Sequence, residues 1–397
     1  MLLHPQWGIV PFSQIHVPAA AWGGYYQRVS ASSGGGAYPR AFAQAGGARI
    51  YRVRKLCASG EFATITQALA QWQADKEAPG QPRSAVIEIG DSGTYHEAPH
   101  IRLDPGEHLQ LRAASMARPV LRLFDSRKGV PEPVRICCAP GASITLDGLL
   151  VTGGGIEIED GAPGGTPAHP QPRPQPRCSV TLRHCTLVPG WESECANDAP
   201  WCGRASVMLR ARGVSLSVEH SIVGPIRVAR LGGMLALHVR DSIVDAGHPA
   251  GLAIADEGYG AAPAAASFSR ATVIGVTQVE ELPLAENSVF LGPLLAARRD
   301  AGTLRFCYLE EGSRTPRRVS CQPERAVQPG REGIACAPAR VRPAYLSLRY
   351  GMPGYCQLAP GCPLEISEGA GDAAGMGAMH APGTNQAGAL RRAALQR

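Results

Sequence analysis

Ile144-Thr145-Leu146-Asp147-Gly148-Leu149-Leu150-Val151 and Val180-Thr181-Leu182-Arg183-His184-Cys185-Thr186-Leu187 are copies of one pattern. It recurs as Leu216-Ser217-Val218-Glu219-His220-Ser221-Ile222-Val223 and as Leu237-His238-Val239-Arg240-Asp241-Ser242-Ile243-Val244. Two weaker copies follow, Ser267-Phe268-Ser269-Arg270-Ala271-Thr272-Val273-Ile274 and Leu282-Pro283-Leu284-Ala285-Glu286-Asn287-Ser288-Val289. Each copy alternates apolar and polar residues, passes through a short polar bend, and resumes as a second apolar run. Alternation with a period of two is the signature of a strand with one face buried.

Taking Leu149, Cys185, Ser221, Ser242 and Thr272 as equivalent, the copies are spaced by 36, 36, 21 and 30 residues. One rung of roughly 20 residues with loops of variable length accounts for all four. A propeller blade needs four strands per copy, and a leucine-rich repeat carries an asparagine signature. Neither pattern is present. The repeat therefore predicts an all-β chain folded as a single-stranded right-handed parallel β-helix, in which each coil buries its apolar face against its neighbours.

Upstream, Phe62, Ile65, Leu69 and Trp72 lie on one face of a helix, with Ser59 in position to cap it. This predicts a capping helix near residues 62–75, ahead of the alternating strands Ala85–Ile89 and His108–Arg112. The expected organisation is an irregular Gly-rich lead-in over 1–56, the β-helix over 57–303, a Cys-containing irregular cap over 304–368, and an Ala/Gly-rich tail over 369–397. Residues Gly161 to Arg177, with Pro170, Pro172, Pro174 and Pro176, read as an extended excursion on the rim. The tail ends in a short Leu/Arg pattern that suggests a chain continuing into a longer polypeptide.

Composition agrees with many turns and short elements, since Gly 47 and Pro 34 of 397 residues make about a fifth of the chain. Charged residues are only 18% and the net charge of +6 is spread without a basic run. That argues against a nucleic-acid partner. No stretch reaches the ~18 apolar residues that cross a bilayer, and the first residues carry no leader pattern. No membrane insertion is expected, and the compartment stays open; synthesis in the cytoplasm with incorporation into a particle fits these features. Twelve cysteines in a chain this long do not by themselves make a disulfide scaffold.

Phe62 to Leu69, Val86 to Ile89 and Gly93-Thr94-Tyr95-His96-Glu97 together resemble the opening of pectin-lyase-like β-helix proteins, where a capping helix leads into the first coil. Thr181 to Gly190, Ala285 to Gly292, Phe306-Cys307, Ser313 to Arg318, Cys321-Gln322-Pro323 and Tyr350 to Cys356 resemble the β-helix region of large bacterial proteins associated with phage-tail-like contractile particles. The resemblance implies a non-enzymatic structural or surface-binding component, with protein partners in an assembly or a glycan surface as its target. The N-terminal domain usual in that family is not recognisable here. The pectin-lyase-like resemblance also implies a rival, a polysaccharide lyase or hydrolase, and a third reading, a glycan-binding adhesin without turnover. The paired-aspartate, arginine and glutamine elements of pectin methylesterases are missing, as are the N-T-D, D-D and R-I-K elements of polygalacturonases.

A lyase of this fold class needs a carboxylate-bound Ca2+ and a basic residue to take the α-proton. The residues available for it are Asp147, Asp241 and Asp245 with Arg183 or Arg240. The repeat places Asp147, Arg183, Glu219, Arg240 and Arg270 in one column, and a column of mixed charges is expected to stabilise a solvated face instead. His184, His220 and Asp241 share the next column and are the candidate metal ligands, with Asp241 the one third ligand the repeat offers, while the competing expectation is that both histidines are simple surface residues. Cys185, Ser221, Ser242 and Thr272 read as a ladder of small polar side chains along the bend. Cys307, Cys321, Cys356 and Cys362 are candidate structural cysteines, open to a disulfide, to Zn2+ or to simple burial, without the C-x2-C spacing that marks zinc. No catalytic residue and no cofactor is expected; Ca2+ and Zn2+ both stay open.

Overall fold

The computed structural model describes residues 2–4, 8–10, 48–76, 83–123, 132–161, 178–188, 205–326, 339–352 and 354–378. Its strands are overwhelmingly parallel and stack into three ladders. The first contains Arg49–Val53, Ser84–Ile89, His108–Ala113, Ser143–Asp147, Cys178–Arg183, Val214–Glu219, Leu235–Arg240, Ala262–Ser269 and onward to Arg317–Val319. The second is a nine-stranded parallel sheet running from Thr94–Tyr95 to Tyr308–Leu309. The third runs from His100–Leu103 through Ile156–Asp160 and Ile226–Val228 to Leu294–Ala296. Val276–Glu286 is long enough to serve the third ladder with its first half and the first ladder with its second. Each pass of the chain thus adds one strand to each ladder, and the protein is an all-β chain of long parallel sheets.

The ladders enclose one continuous apolar core from Tyr51 to Cys321. Inward residues follow the two-residue period: Val180, Leu182, Val214, Leu216, Val218, Leu237 and Val239 are fully buried. Across the core, Phe268 of the first ladder and Phe290 of the second meet edge to face at 5.2 Å.

The register corrects the two weak copies by one residue. Arg240 pairs with Ser269 and Ile243 with Thr272, so Arg270 stands beside Asp241 and Ala271 beside Ser242. Alternation decides this: Ala262, Ala264, Ala266 and Phe268 are buried, whereas a slip by one would turn Ser267 and Ser269 into the core. Thr272 is accordingly removed from the hydroxyl ladder, and Ser288 joins it.

The helix covers Ile65–Lys76 and buries Ile65, Ala68, Leu69 and Trp72. Its cap is Thr64, whose Oγ1 accepts the Gln67 N–H at 3.1 Å, and not Ser59. Phe62 is committed to a parallel bridge with Val53, which carries the preceding residues away from the helix. The Glu97 carboxylate accepts the backbone N–H groups of Ile65 and Thr66 at 2.8 and 2.9 Å, satisfying two donors of the first turn.

The stack extends beyond the expected limits at both ends, beginning at Arg49 and continuing past 303 to Val319. Residues from the 340s to Ala378 then lie over the outer face of the second ladder. There Ile222, Ile243, Ile274, Val289 and Tyr308 pack with Tyr355, Ile366 and Met376. Gly377 N–H donates to Asn287 O and Ala378 N–H to Thr272 Oγ1, so this part of the expected tail is tied to the sheet. Most of the lead-in, the proline-rich rim loop, Trp191, Cys195, Trp201, Cys202 and the terminal Leu/Arg pattern lie outside the described residues.

Candidate functional site

The candidate residues gather where the first ladder turns into the second. From Gly148 onward one residue in each rung takes the left-handed conformation there: Gly148, His184, His220, Asp241, Arg270, Asn287, Phe306 and Ser320, all with φ between 47° and 77°. Seven of the eight are not glycine, and each such residue costs on the order of 1 kcal/mol. Continuity of the backbone hydrogen bonds compensates. His184 N–H donates to Glu219 O, His220 N–H to Arg240 O, Asp241 N–H to Ser269 O and Arg270 N–H to Glu286 O, at 3.0–3.1 Å.

The following residue completes the corner from inside. Ser221 Oγ accepts the Cys185 N–H at 3.1 Å, Ser242 Oγ accepts the Ser221 N–H at 3.0 Å, and Ser288 Oγ accepts the Ala271 N–H at 3.0 Å. Each hydroxyl donates to a carbonyl of its own strand, as Ser221 Oγ does to Glu219 O at 2.7 Å. These buried hydroxyls satisfy N–H groups that the sharp turn would otherwise strand.

Outside the corner, the candidate side chains hold one another. His184 is fully buried and its Nδ1 lies 2.8 Å from Asp147 Oδ1, so that nitrogen carries the proton. Burial lowers the His184 pKa against the raising effect of Asp147, and burial lowers that of His220 as well. The two rings stack with centroids 5.4 Å apart and planes 16° from parallel. His220 Nε2 lies 3.9 Å from Asp241, whose carboxylate accepts two bonds from the Arg270 guanidinium and lies 3.4 Å from Arg240 Nε. Arg183 donates to Glu219 at 3.0 and 3.1 Å.

The candidate catalytic side chains are thus committed to one another. Asp147 is 3% exposed and committed to an imidazole that solvent does not reach. Arg183 and Asp241 are neutralised by Glu219 and Arg270. Asp245 is in the second ladder, its Oδ2 accepting the Tyr355 hydroxyl at 2.6 Å under the C-terminal layer, and burial raises its pKa. Metal ligation fares no better. Nearly parallel imidazole planes send their lone pairs side by side, whereas a metal needs them to converge at ~2 Å. Among the described residues no group of three or more His, Cys, Asp or Glu could hold a metal ion.

The four candidate structural cysteines divide into two places. Cys307 and Cys321 sit in the core of the stack, while Cys356 and Cys362 lie in the layer over the second ladder. A single site drawing on all four is thereby ruled out. A disulfide between Cys138 and Cys178, with Cα atoms 6.1 Å apart, was not foreseeable from a Cys137-Cys138 doublet and a lone Cys178.

A second surface was invisible to the repeat. On the outward side of the third ladder, Gln278, Leu295 and Arg314 stack in register on successive rungs. With Ala261, Pro293, Ala296, Ala297, Arg299 and Gly312 they line an open groove of about 610 Å3. No carboxylate lines it. Neither Arg299 nor Arg314 has a side-chain hydrogen bond or ion pair among the described residues, in contrast to neighbouring Arg298, which is bound to Glu281 and Asp300. No signal in the sequence pairs Arg299 with Arg314, because both belong to loop margins where rung length varies.

No protein-family model matches the sequence, and no curated protein matches it. Among the described residues no helix is long and apolar enough to cross a membrane.

Proposed function

We propose that the chain is a right-handed, single-stranded parallel β-helix of the pectin-lyase-like type that acts without catalysis, as a structural or surface-binding part of a phage-tail-like assembly. The observation that carries the non-catalytic reading is the mutual pairing at the corner. Asp147 with His184, Arg183 with Glu219, and Asp241 with Arg270 leave no free carboxylate beside a free base. Family resemblance supports the assembly role, through the motifs around Thr181, Ser313, Cys321 and Tyr350. The third-ladder groove supplies a contact surface suited to a partner that presents acidic groups, since its two arginines have no counter-ion among the described residues.

Fractionating particles from the producing cells with an antibody to this chain tests the reading. The chain is expected to sediment with tail or baseplate proteins, and to yield neither unsaturated products nor new reducing ends from a panel of polyuronates. A chain recovered only as a free monomer, or one that depolymerises a polyuronate and loses that activity as Asp241→Ala, overturns it.

A further inference from the structure

Position by position, the inner side of the corner holds Ser221, Ser242, Ala271 and Ser288, and then two cysteines, Cys307 and Cys321. These two occupy successive rungs in register: Tyr308 pairs with Gln322 in a parallel bridge, Phe306 N–H donates to Val319 O, and Gln322 N–H donates to Cys307 O at 2.7 Å. Adjacent rungs lie ~4.8 Å apart, inside the ~4.4–6.8 Å range of Cα separations that a disulfide spans. Both side chains are buried in the core of the stack, and each sulfur donates to a carbonyl two residues back on its own rung, Cys307 to Arg305 O and Cys321 to Val319 O.

We infer that Cys307 and Cys321 are a disulfide-forming pair that staples the last rung of the stack to the rung before it. The place is where a staple matters most. In a stack held by nearest-neighbour contacts, end rungs open first, and Arg317–Val319 is paired on one side alone among the described residues. From this rung the chain leaves the ladder to build the layer over the second ladder, so a loose end rung also loosens that layer.

The roles of the two sulfurs differ. Hydrogen bonding from Cys307 pushes the Cys321 thiol down to about 7, whereas burial pushes Cys307 up. Cys321 also belongs to the end rung, which is paired on one side alone among the described residues and opens first, so it is the attacking sulfur. With a small-molecule disulfide as oxidant, Cys321 attacks one of its sulfurs, forms a mixed disulfide and releases one thiolate, which takes up the Cys307 proton. The Cys307 thiolate then attacks the Cys321 sulfur and expels the second thiolate, which recovers from water the proton that Cys321 had given up. Two protein thiols are oxidised and one external disulfide is reduced to two thiols. The chain already carries one such bond in its core, Cys138–Cys178.

The test is peptide mapping of the full chain after incubation with oxidised glutathione and alkylation of the remaining thiols. Trypsin should yield Phe306–Arg314 linked to Val319–Arg325, lighter by two hydrogens than the separate peptides and split by reductant. Serine is the natural occupant of this position in neighbouring rungs, so Cys307→Ser and Cys321→Ser preserve the corner. Cys307→Ser should hold glutathione on Cys321 as a trapped adduct, and Cys321→Ser should abolish both the link and the rise in melting temperature that oxidation brings. Linkage of either residue to a different cysteine overturns the pair. So does full alkylation of both without a link, and absence of the adduct in Cys307→Ser overturns Cys321 as the attacking thiol.

Discussion

The corner between the first and second ladders and the groove on the third are both rich in arginine, and they treat it oppositely. At the corner, successive rungs alternate sign, Asp147, Arg183, Glu219 and Arg240, and the guanidiniums are answered: Arg183 by Glu219 one rung away, Arg270 by Asp241 one rung away, and Arg240 by its neighbour Asp241. On the third ladder the outward column near the C-terminal end reads Gln278, Leu295, Arg314, and nothing there answers the charge. In-register stacking amplifies whatever the repeat supplies. Alternating charges become a self-neutralising stripe, and an unmatched cation stays available to a partner.

The contrast is sharpest at its most buried point. Asp147→Ala would leave the His184 imidazole buried beside a cavity and without its Nδ1 acceptor. A loss of about 3 kcal/mol in unfolding free energy is expected, read from urea midpoints. A change under about 1 kcal/mol would mean that the corner is held by its backbone alone. The same site gives a pH dependence with a definite sign. Burial lowers the pKa of His184 and His220 below the ~6.5 of an unfolded chain. As pH falls through ~6.5 the unfolded chain takes up protons that the folded chain refuses, so stability drops towards the depressed folded values and is flat above ~7. The slope between about pH 7 and about pH 5 should shrink in His220→Gln.

Ser221→Ala tests the inner side of the same corner. It removes the acceptor for the buried Cys185 N–H, with an expected cost of about 1–2 kcal/mol. The exposed side is weaker. Arg183→Ala breaks an ion pair whose members are 37% and 31% exposed, and solvent screening limits the loss to below about 1 kcal/mol.

How much of this was legible depended on periodicity. Strand alternation and the column Asp147, Arg183, Glu219, Arg240 could be read directly, because side-chain direction in a strand has a strict period of two. The partner of Asp241 could not. The repeat alone places Arg270 beside Arg240, since the alanine-rich strand Ala262–Ser269 offers weak contrast between its faces and the polar copy Ser267–Ile274 fits the template equally well. Ser59 was read as the helix cap because hydrogen bonding from a strand bridge at Phe62 is a tertiary fact. The corner's left-handed residues were hidden for a related reason: His, Asp, Arg and Phe do not announce such a backbone, which is imposed by rung-to-rung bonding. Arg299 and Arg314 follow loops of unequal length, so only the folded register brings them to one groove.

The smallest expected effect on stability carries the largest consequence for the comparison. Arg299→Ala with Arg314→Ala removes two exposed side chains that make no side-chain hydrogen bond or ion pair among the described residues, and unfolding free energy should stay within about 0.5 kcal/mol of the parent. Retention on a heparin column, a general polyanion probe, should nevertheless fall to clearly lower salt, because two unmatched cations are lost from one concavity. Arg183→Ala removes the same kind of side chain from the corner, yet its charge is already offset by Glu219, so its elution should move less than half as far. If Arg183→Ala and the double variant shift equally per arginine, net charge alone governs retention and the groove has no special standing. If the double variant alone shifts, the distinction between a paired stripe and an unpaired groove is a property of the folded surface.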